Sequence, residues 1–405
     1  MREGSETMPI DDPFRCFVPY PDVPVKQASS GPLAGLTLAV KDLFDVKGYP
    51  TGAGQPLVLA QSGIKTRTAP VVKALLEAGA RFVGKTHTDE LAFSLNGKNA
   101  HFGAPINPAA PDRITGGSSS GSMAAVAGRL ADIALGSDTG GSVRAPASYG
   151  GIFGIRPTHG RLPLKLTWPL SESLDTPGWF ARDGETLARV GEVLFGKDRT
   201  VLPAKPRMLL AGDMFAQAVA DAETILRNVV QRAVPVLGQP ETVKAARDLD
   251  SLYWAFRWIQ GREAWLSDGE LIERFAPPLG PGVAERFVFS KSVTDEEYEK
   301  AGAVRKVFRS KLARLLDSDG VLLLPTVPDI APLVTAQEPE LDDFRNRALR
   351  LLCLAGLSGF PQVTMPVAQR EGAPLGLSLI GPKGSDKSLI AFAIRFERAA
   401  RARIA

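Results

Sequence analysis

The first regular pattern along the chain lies in GLTLAVKDLFDVKG (35–48), where Leu36, Leu38 and Val40 alternate with small or polar positions. Period-two alternation that stops at Asp and Gly predicts a strand running into a turn. TAPVVKALLEAGARFVGKTHTDEL (68–91) then carries apolar residues at helical spacing to about Glu77, a glycine stop, a short strand near Phe82 and Val83, and a new helix start. This is β-α-β grammar, and it predicts an α/β class. Further on, Met123 to Leu130 reads as a helix of small residues that can pack closely, and Asp132 to Leu135 as a short strand. From about Leu202 to Val304 the pattern turns helical and charged, with Trp254, Trp258 and Trp265 in one stretch and a Pro/Gly break at APPLGPG. GVLLLPTVPDIAP (320–332) and VTMPVAQREGAPLGLSLIG (363–381) return to strand-like runs. Because strands flank the middle segment, residues 1–405 are read as one domain carrying a helical insertion at about 202–304.

Composition narrows the function classes. With 48 Lys+Arg against 44 Asp+Glu the net charge is only +4, and no basic run tracks along the chain, so nucleic acid is not an expected partner. The first twenty residues contain no apolar leader and no stretch has the roughly 18 uninterrupted apolar residues of a membrane span. A cytoplasmic protein is expected. Cys16 and Cys353 stand far apart and suit a reducing compartment, and His87, His101 and His159 match no metal-ligand spacing, so no metal is expected.

The candidate chemistry begins with GGSSSGS (116–122), which composition alone would allow as a flexible linker. It leads directly into the alanine-rich helix, however, and a loop that feeds a helix start presents N–H groups and hydroxyls to an anion or a developing oxyanion. A phosphate cradle is excluded, because the lysine of G-x-x-x-x-G-K-[ST] is absent. Gly117 to Gly121 also fits G-x-S-x-G with Ser119 as nucleophile, but the last histidine, His159, follows by only 40 residues (159 − 119), too early for that fold's triad. A serine nucleophile here would need a different base. Lys41, continuing the first strand, can serve if burial lowers its pKa toward neutrality, although these residues alone favour an edge lysine pointing to water. The S-x-x-K match at Ser62 to Lys65 is of a kind expected by chance and is set aside. A second glycine cluster, Gly136 to Ser142, ends the third strand and puts Ser142 beside a turn with exposed N–H groups.

Taken in order, AVKD, GGSSSGS and GSDTGGSVRAPAS resemble the amidase signature family of Ser–Ser–Lys hydrolases. The likeness runs from about Gly35 to Leu389, is densest over 35–163, and includes PTVP and GLSGFPQVTMP. It implies the amidase signature fold, a central mixed β-sheet covered by helices on both faces. It further implies Lys41 as base, Ser118 as proton relay next to a cis peptide, and Ser142, 24 residues on (142 − 118), as nucleophile. The backbone N–H groups of Thr139, Gly140, Gly141 and Ser142 would form the oxyanion hole, and Asp138 and Arg144 match structural neighbours. Ser120 departs from the family pattern, which usually has glycine there, so Ser119 and Ser120 are left unassigned. NGKNAHFGAPINP, WFARD and PPLGPGVAERF look most like the short plant-type amidases that hydrolyse indole-3-acetamide.

The resemblance thus implies a cofactor-free hydrolase of a small primary carboxamide, foremost an arylacetamide. Trp and Phe residues of the helical middle segment are candidates for lining its pocket. The expected partners are that small molecule and, at most, a second copy of the chain in a homodimer. Two rival readings are a glutamyl-tRNA amidotransferase A-like subunit and a non-catalytic interaction module.

Overall fold

The computed structural model describes residues 11–401, so the absence of an apolar leader lies, for residues 1–10, outside the described residues. Ten strands form one sheet: β1 Thr37–Lys41, β2 Arg81–Thr86, β3 Ile133–Asp138, β4 Phe153–Arg156, β5 Thr176–Ala181, β6 Arg207–Ala211, β7 Glu241–Val243, β8 Gly320–Pro325, β9 Gln362–Arg370 and β10 Ala373–Ile380. Their order across the sheet is β2-β1-β3-β5-β4-β9-β10-β8-β6-β7. Pairing is parallel at both ends and antiparallel from β3 through β8, which makes the sheet mixed.

Among the described residues twelve helices accompany it: α1 Pro56–Ser62, α2 Pro70–Glu77, α3 Ser120–Ala127, α4 Arg144–Gly150, α5 Gly184–Leu194, α6 Gly212–Phe215, α7 Ala220–Leu237, α8 Leu249–Phe275, α9 Val283–Ser292, α10 Asp295–Leu316, α11 Glu338–Ser358 and α12 Asp386–Arg401. Strand alternation sorts them onto two faces. Leu38 and Val40 of β1, Ile133 and Leu135 of β3, and Val321 and Leu323 of β8 share a core with Val72 and Leu75 of α2, Leu187 of α5, Leu226 of α7 and Phe396 of α12. The intervening residues point the other way. Ala39 and Ala134 pack on Met123 and Ala125 of α3, and Leu209, Leu322 and Leu324 pack on Phe256 of α8, Phe308 of α10 and Leu352 of α11. Fully burying each such aliphatic side chain is worth about 1.5–3 kcal/mol, so register is strongly specified, since a one-residue slip would exchange the two faces.

Two expectations change in detail. The stretch 202–304 is not wholly helical: its apolar run Arg207–Ala211 pairs with β8 and carries the short edge strand β7, so two strands of the common sheet come from it. The helix start after β2 is a single 3-10 turn, Glu90–Ala92, with Leu91 and Ala92 at positive φ. Among the described residues no helix is long and apolar enough to cross a membrane, and no group of three or more His, Cys, Asp or Glu could hold a metal ion.

Candidate active site

Lys41 is the last residue of β1 and follows Ala39 onto the α3 side of the sheet, where no water reaches it. Its Nζ donates to Ser118 Oγ at 2.7 Å and to Ser137 Oγ at 2.8 Å. Burial is the dominant influence on the amine and lowers its pKa to about 7, against the opposing pull of Asp89, Asp138 and Asp175. Asp89 is itself buried, and that burial raises its carboxyl to about 6 despite a hydrogen bond from Gly97 N–H at 3.0 Å.

The GGSSSGS segment is ordered as a loop and helix start. The Gly117–Ser118 peptide is cis, and Ser118 carbonyl accepts from Asp89 N–H at 3.1 Å. Gly117 is required by space, because a Cβ there would lie 2.2 Å from Asp89 Oδ2. The remaining serines sew the loop to its surroundings: Ser119 Oγ donates to Ser137 carbonyl at 3.2 Å, and Ser122 Oγ donates to Leu135 carbonyl at 2.8 Å. Ser119, the G-x-S-x-G position, is therefore occupied in holding β3, and His159 lies elsewhere, its ring against Glu172 carbonyl at 3.1 Å. In the set-aside S-x-x-K match, Lys65 Nζ bonds the carbonyl of Ser62.

Ser142 sits two residues before α4 and is 3 % exposed. Its carbonyl accepts from Ser119 N–H at 3.3 Å, which ties the two serine loops together, and its hydroxyl has no hydrogen-bond partner among the described residues. The 138–145 turn is built around Asp138. That carboxylate accepts from the N–H groups of Gly141 at 3.1 Å and Val143 at 3.1 Å, and forms ion pairs with Arg144 at 2.7 Å and Arg156 at 2.8 Å. Burial alone would push its pKa up, but the two guanidiniums reverse this and hold it well below the ordinary carboxylate value.

Of the four N–H groups expected at the oxyanion position, Gly141 is thus already engaged by Asp138, while those of Thr139, Gly140 and Ser142 have no partner among the described residues. Gly141 adopts φ +115°, a conformation that disfavours side chains, and a Cβ there would meet Leu352 Cδ1 at 2.5 Å. Thr139 is steadied by its hydroxyl, which donates to Asp175 at 2.5 Å.

The cover over this turn comes from α8 and α11. A Cβ on Gly140 would lie 3.0 Å from Phe256 Cζ, 3.2 Å from Leu349 Cδ2 and 3.4 Å from Gln260 Nε2. The tryptophans of α8 do not supply it. Trp254 is 43 % exposed and stacks toward Trp258, and Trp265 lies under Lys291. Phe256 is one of the middle-segment phenylalanines expected near the pocket, whereas Ser137, Asp89 and Gln260 were not anticipated, although the four-residue spacing of Phe256 and Gln260 puts them on one helix face.

A mixed sheet between two helical layers, with a buried lysine bonded to a serine beside a second glycine-serine turn, defines an amidase-class hydrolase fold, and the chain belongs to the Amidase family, whose sequence model matches residues 22–249 and 271–390. Its relatives include Amidase 1 of Arabidopsis thaliana, 39 % identical over 95 % of this chain and 98 % of that protein. Outer envelope protein 64, chloroplastic, of the same plant is 36 % identical over 91 % of this chain and 67 % of that protein. A crystal structure of an amidase superposes with a TM-score of 0.82 at 31 % identity, covering 91 % of this chain and 85 % of the other. The unmatched residues 250–270 form most of α8 and include Phe256 and Gln260.

Proposed function

We propose that the protein hydrolyses a small primary carboxamide to the carboxylate and ammonia through an acyl-enzyme on Ser142. Neutral Lys41 draws the hydroxyl proton of Ser118, Ser118 takes that of Ser142, and Ser142 Oγ bonds to the amide carbon. The N–H groups of Thr139, Gly140 and Ser142 are the available donors for the oxyanion. Collapse breaks the C–N bond, and the proton held on Lys41 passes back to the departing nitrogen, which leaves as ammonia. Water then attacks the ester carbon, giving a proton to the same relay; collapse breaks the bond between Ser142 Oγ and the acyl carbon, the relay returns that proton to Ser142 Oγ, and the acid leaves as its carboxylate.

The observation that carries this reading is the Lys41–Ser118 hydrogen bond at 2.7 Å, made by an amine with no access to water. Arylacetamides such as indole-3-acetamide remain the first neutral substrates to try, supported by the apolar Phe256, Leu349 and Leu352 around Gly140 and Gly141. A cytoplasmic setting is supported by the two buried, unpaired thiols, Cys16 and Cys353. The test is ammonia release by the purified chain from indole-3-acetamide, phenylacetamide and short aliphatic amides, with Ser142→Ala as control. Loss of release in the variant is expected; full activity in Ser142→Ala overturns the assignment, and no release by the wild type moves the reading to a subunit that needs a partner.

A further inference from the structure

Two polar side chains in the cover over the Ser142 turn have nothing to bond to. Gln260 of α8, 4 % exposed, faces Gly140 and makes no hydrogen bond among the described residues. Arg345 of α11, also 4 % exposed, makes neither a hydrogen bond nor an ion pair among the described residues, and its Nε is sealed from solvent. Other buried arginines of this protein have a counter-ion. Arg144 and Arg156 share Asp138, and Arg286 of α9 donates to Phe93 carbonyl and to Asp342. Asp342, one turn before Arg345, is thus already taken. Arg257 of α8 is turned to Tyr253 and Asn346, so the charges around Arg345 are two cations and one committed carboxylate. An uncompensated buried charge costs several kcal/mol, which makes a lone guanidinium a poor structural element and a ready partner for an anion.

Its position fits a ligand reaching out from Ser142. Arg345 precedes Leu349 by four residues and Leu352 by seven, which places the three on one stripe of α11. Leu349 and Leu352 are the residues facing Gly140 and Gly141. Four helical residues rise about 6 Å, the span of a short carbon chain. The stripe therefore leads from the side chains beside Gly140 and Gly141 to Arg345.

We propose that Arg345, assisted by Gln260, binds an anionic group at the far end of the acyl chain, so that the preferred substrates are primary amides that also carry a carboxylate. This rests on the amide-hydrolase reading above and assigns its substrate class. Arg is suited to the task because its planar fork matches a carboxylate with two parallel hydrogen bonds.

The test compares matched pairs that differ only by the carboxylate: adipamate against hexanamide, and 4-carboxyphenylacetamide against phenylacetamide. The acidic member of each pair is expected to be favoured at least about tenfold in kcat/KM, mainly through KM. R345M is expected to cut kcat/KM for the acidic member about 10- to 100-fold, the worth of a charge-assisted bond, without lowering Tm, and R345K to restore part of it. Equal or better use of the neutral members by the wild type overturns the proposal. So does an R345M variant that loses both members equally and melts earlier, the behaviour of a structural arginine. If no amide is turned over, the hydrolase reading fails on its own account, and calorimetry with adipate still decides on Arg345: binding to the wild type that R345M abolishes supports the site, and no binding to the wild type overturns it.

Discussion

The base assigned to Lys41 makes a quantitative demand on the pH profile. An ordinary lysine at 10.5 would be neutral in only about 0.03 % of molecules at pH 7, whereas one lowered to about 7 is neutral in about half, a gain of roughly a thousandfold in available base. The plot of kcat/KM against pH should therefore climb about tenfold per unit at its acid end, reach half-maximum near pH 7 and lie about 100-fold below the plateau at pH 5. Asp89 is the largest of the charges that hold the proton on Lys41, so Asp89→Asn should move the acid limb to lower pH. Stability carries the opposite signature. Between about 7 and 10.5 the unfolded chain holds a proton on Lys41 that the folded chain has released, so this residue's penalty is full below pH 7 and fades as pH rises to 10.5. The shift corresponds to a penalty on the order of 5 kcal/mol, and removing it in a Lys41→Met variant is offset by about 1 kcal/mol for each of the hydrogen bonds to Ser118 and Ser137 that methionine cannot make. Lys41→Met should accordingly be inactive yet more stable than the wild type in urea melts at pH 6, with the advantage shrinking by pH 10. A midpoint near 10, a flat profile down to pH 5, an upward shift in Asp89→Asn or a less stable Lys41→Met at pH 6 would each refute the reasoning.

Three further outcomes follow from the same geometry. Ser137→Ala removes the second acceptor of Lys41, worth about 1–2 kcal/mol, and should lower kcat about tenfold while far-UV circular dichroism and Tm stay close to the wild type. Asp138→Asn leaves Arg144 and Arg156 without their counter-ion and should cost about 3–5 kcal/mol in urea unfolding, with activity lost as well because the Ser142 turn is hung on that carboxylate. Gly141→Ala meets both a φ of +115° and the side chain of Leu352, and is expected to abolish turnover and lower Tm by several degrees, whereas Gly372→Ala, at φ +77° but with open space around it, should cost much less and spare activity.

Much of the strand framework could be read from the sequence because its apolar residues either alternate with others, as over Leu36–Val40, or form a short unbroken run bounded by Gly and Pro, as in Val321–Leu324. The run Arg207–Ala211 was hidden by the long helices that follow it, and a strand of three residues such as Glu241–Val243 has too few positions to show a period. At Lys41 the residues alone favoured an edge lysine over a buried amine; its burial depends on Ser118, 77 residues along the chain, and on α3 just after it closing over β1. Ser137 escaped notice because the third strand was ended at Leu135, three residues short of its actual end at Asp138. Arg345 lies in DDFRNRALR, where four acidic and basic neighbours make every arginine look solvated. Only its helical phase with Leu349 and Leu352 sets it apart from Arg347 and Arg350.

The strand order has a consequence for how the chain is made. β4, at Phe153–Arg156, has β5 on one side, and its other neighbour is β9, at Gln362–Arg370, more than two hundred residues later. Arg144, next to the serine turn, likewise waits for Gln362 and for the carbonyl of Leu352. During synthesis from the N-terminus, the amide-bearing edge of β4 is therefore exposed for the whole time that residues 157 to 361 emerge, at about 5–20 residues per second some tens of seconds. An unpaired strand edge of apolar residues is a template for pairing with other chains. Ribosomes stalled near residue 350 should thus carry inactive chains bound to chaperones or to one another, and the serine turn should become resistant to protease only once β9 and β10 have left the exit tunnel.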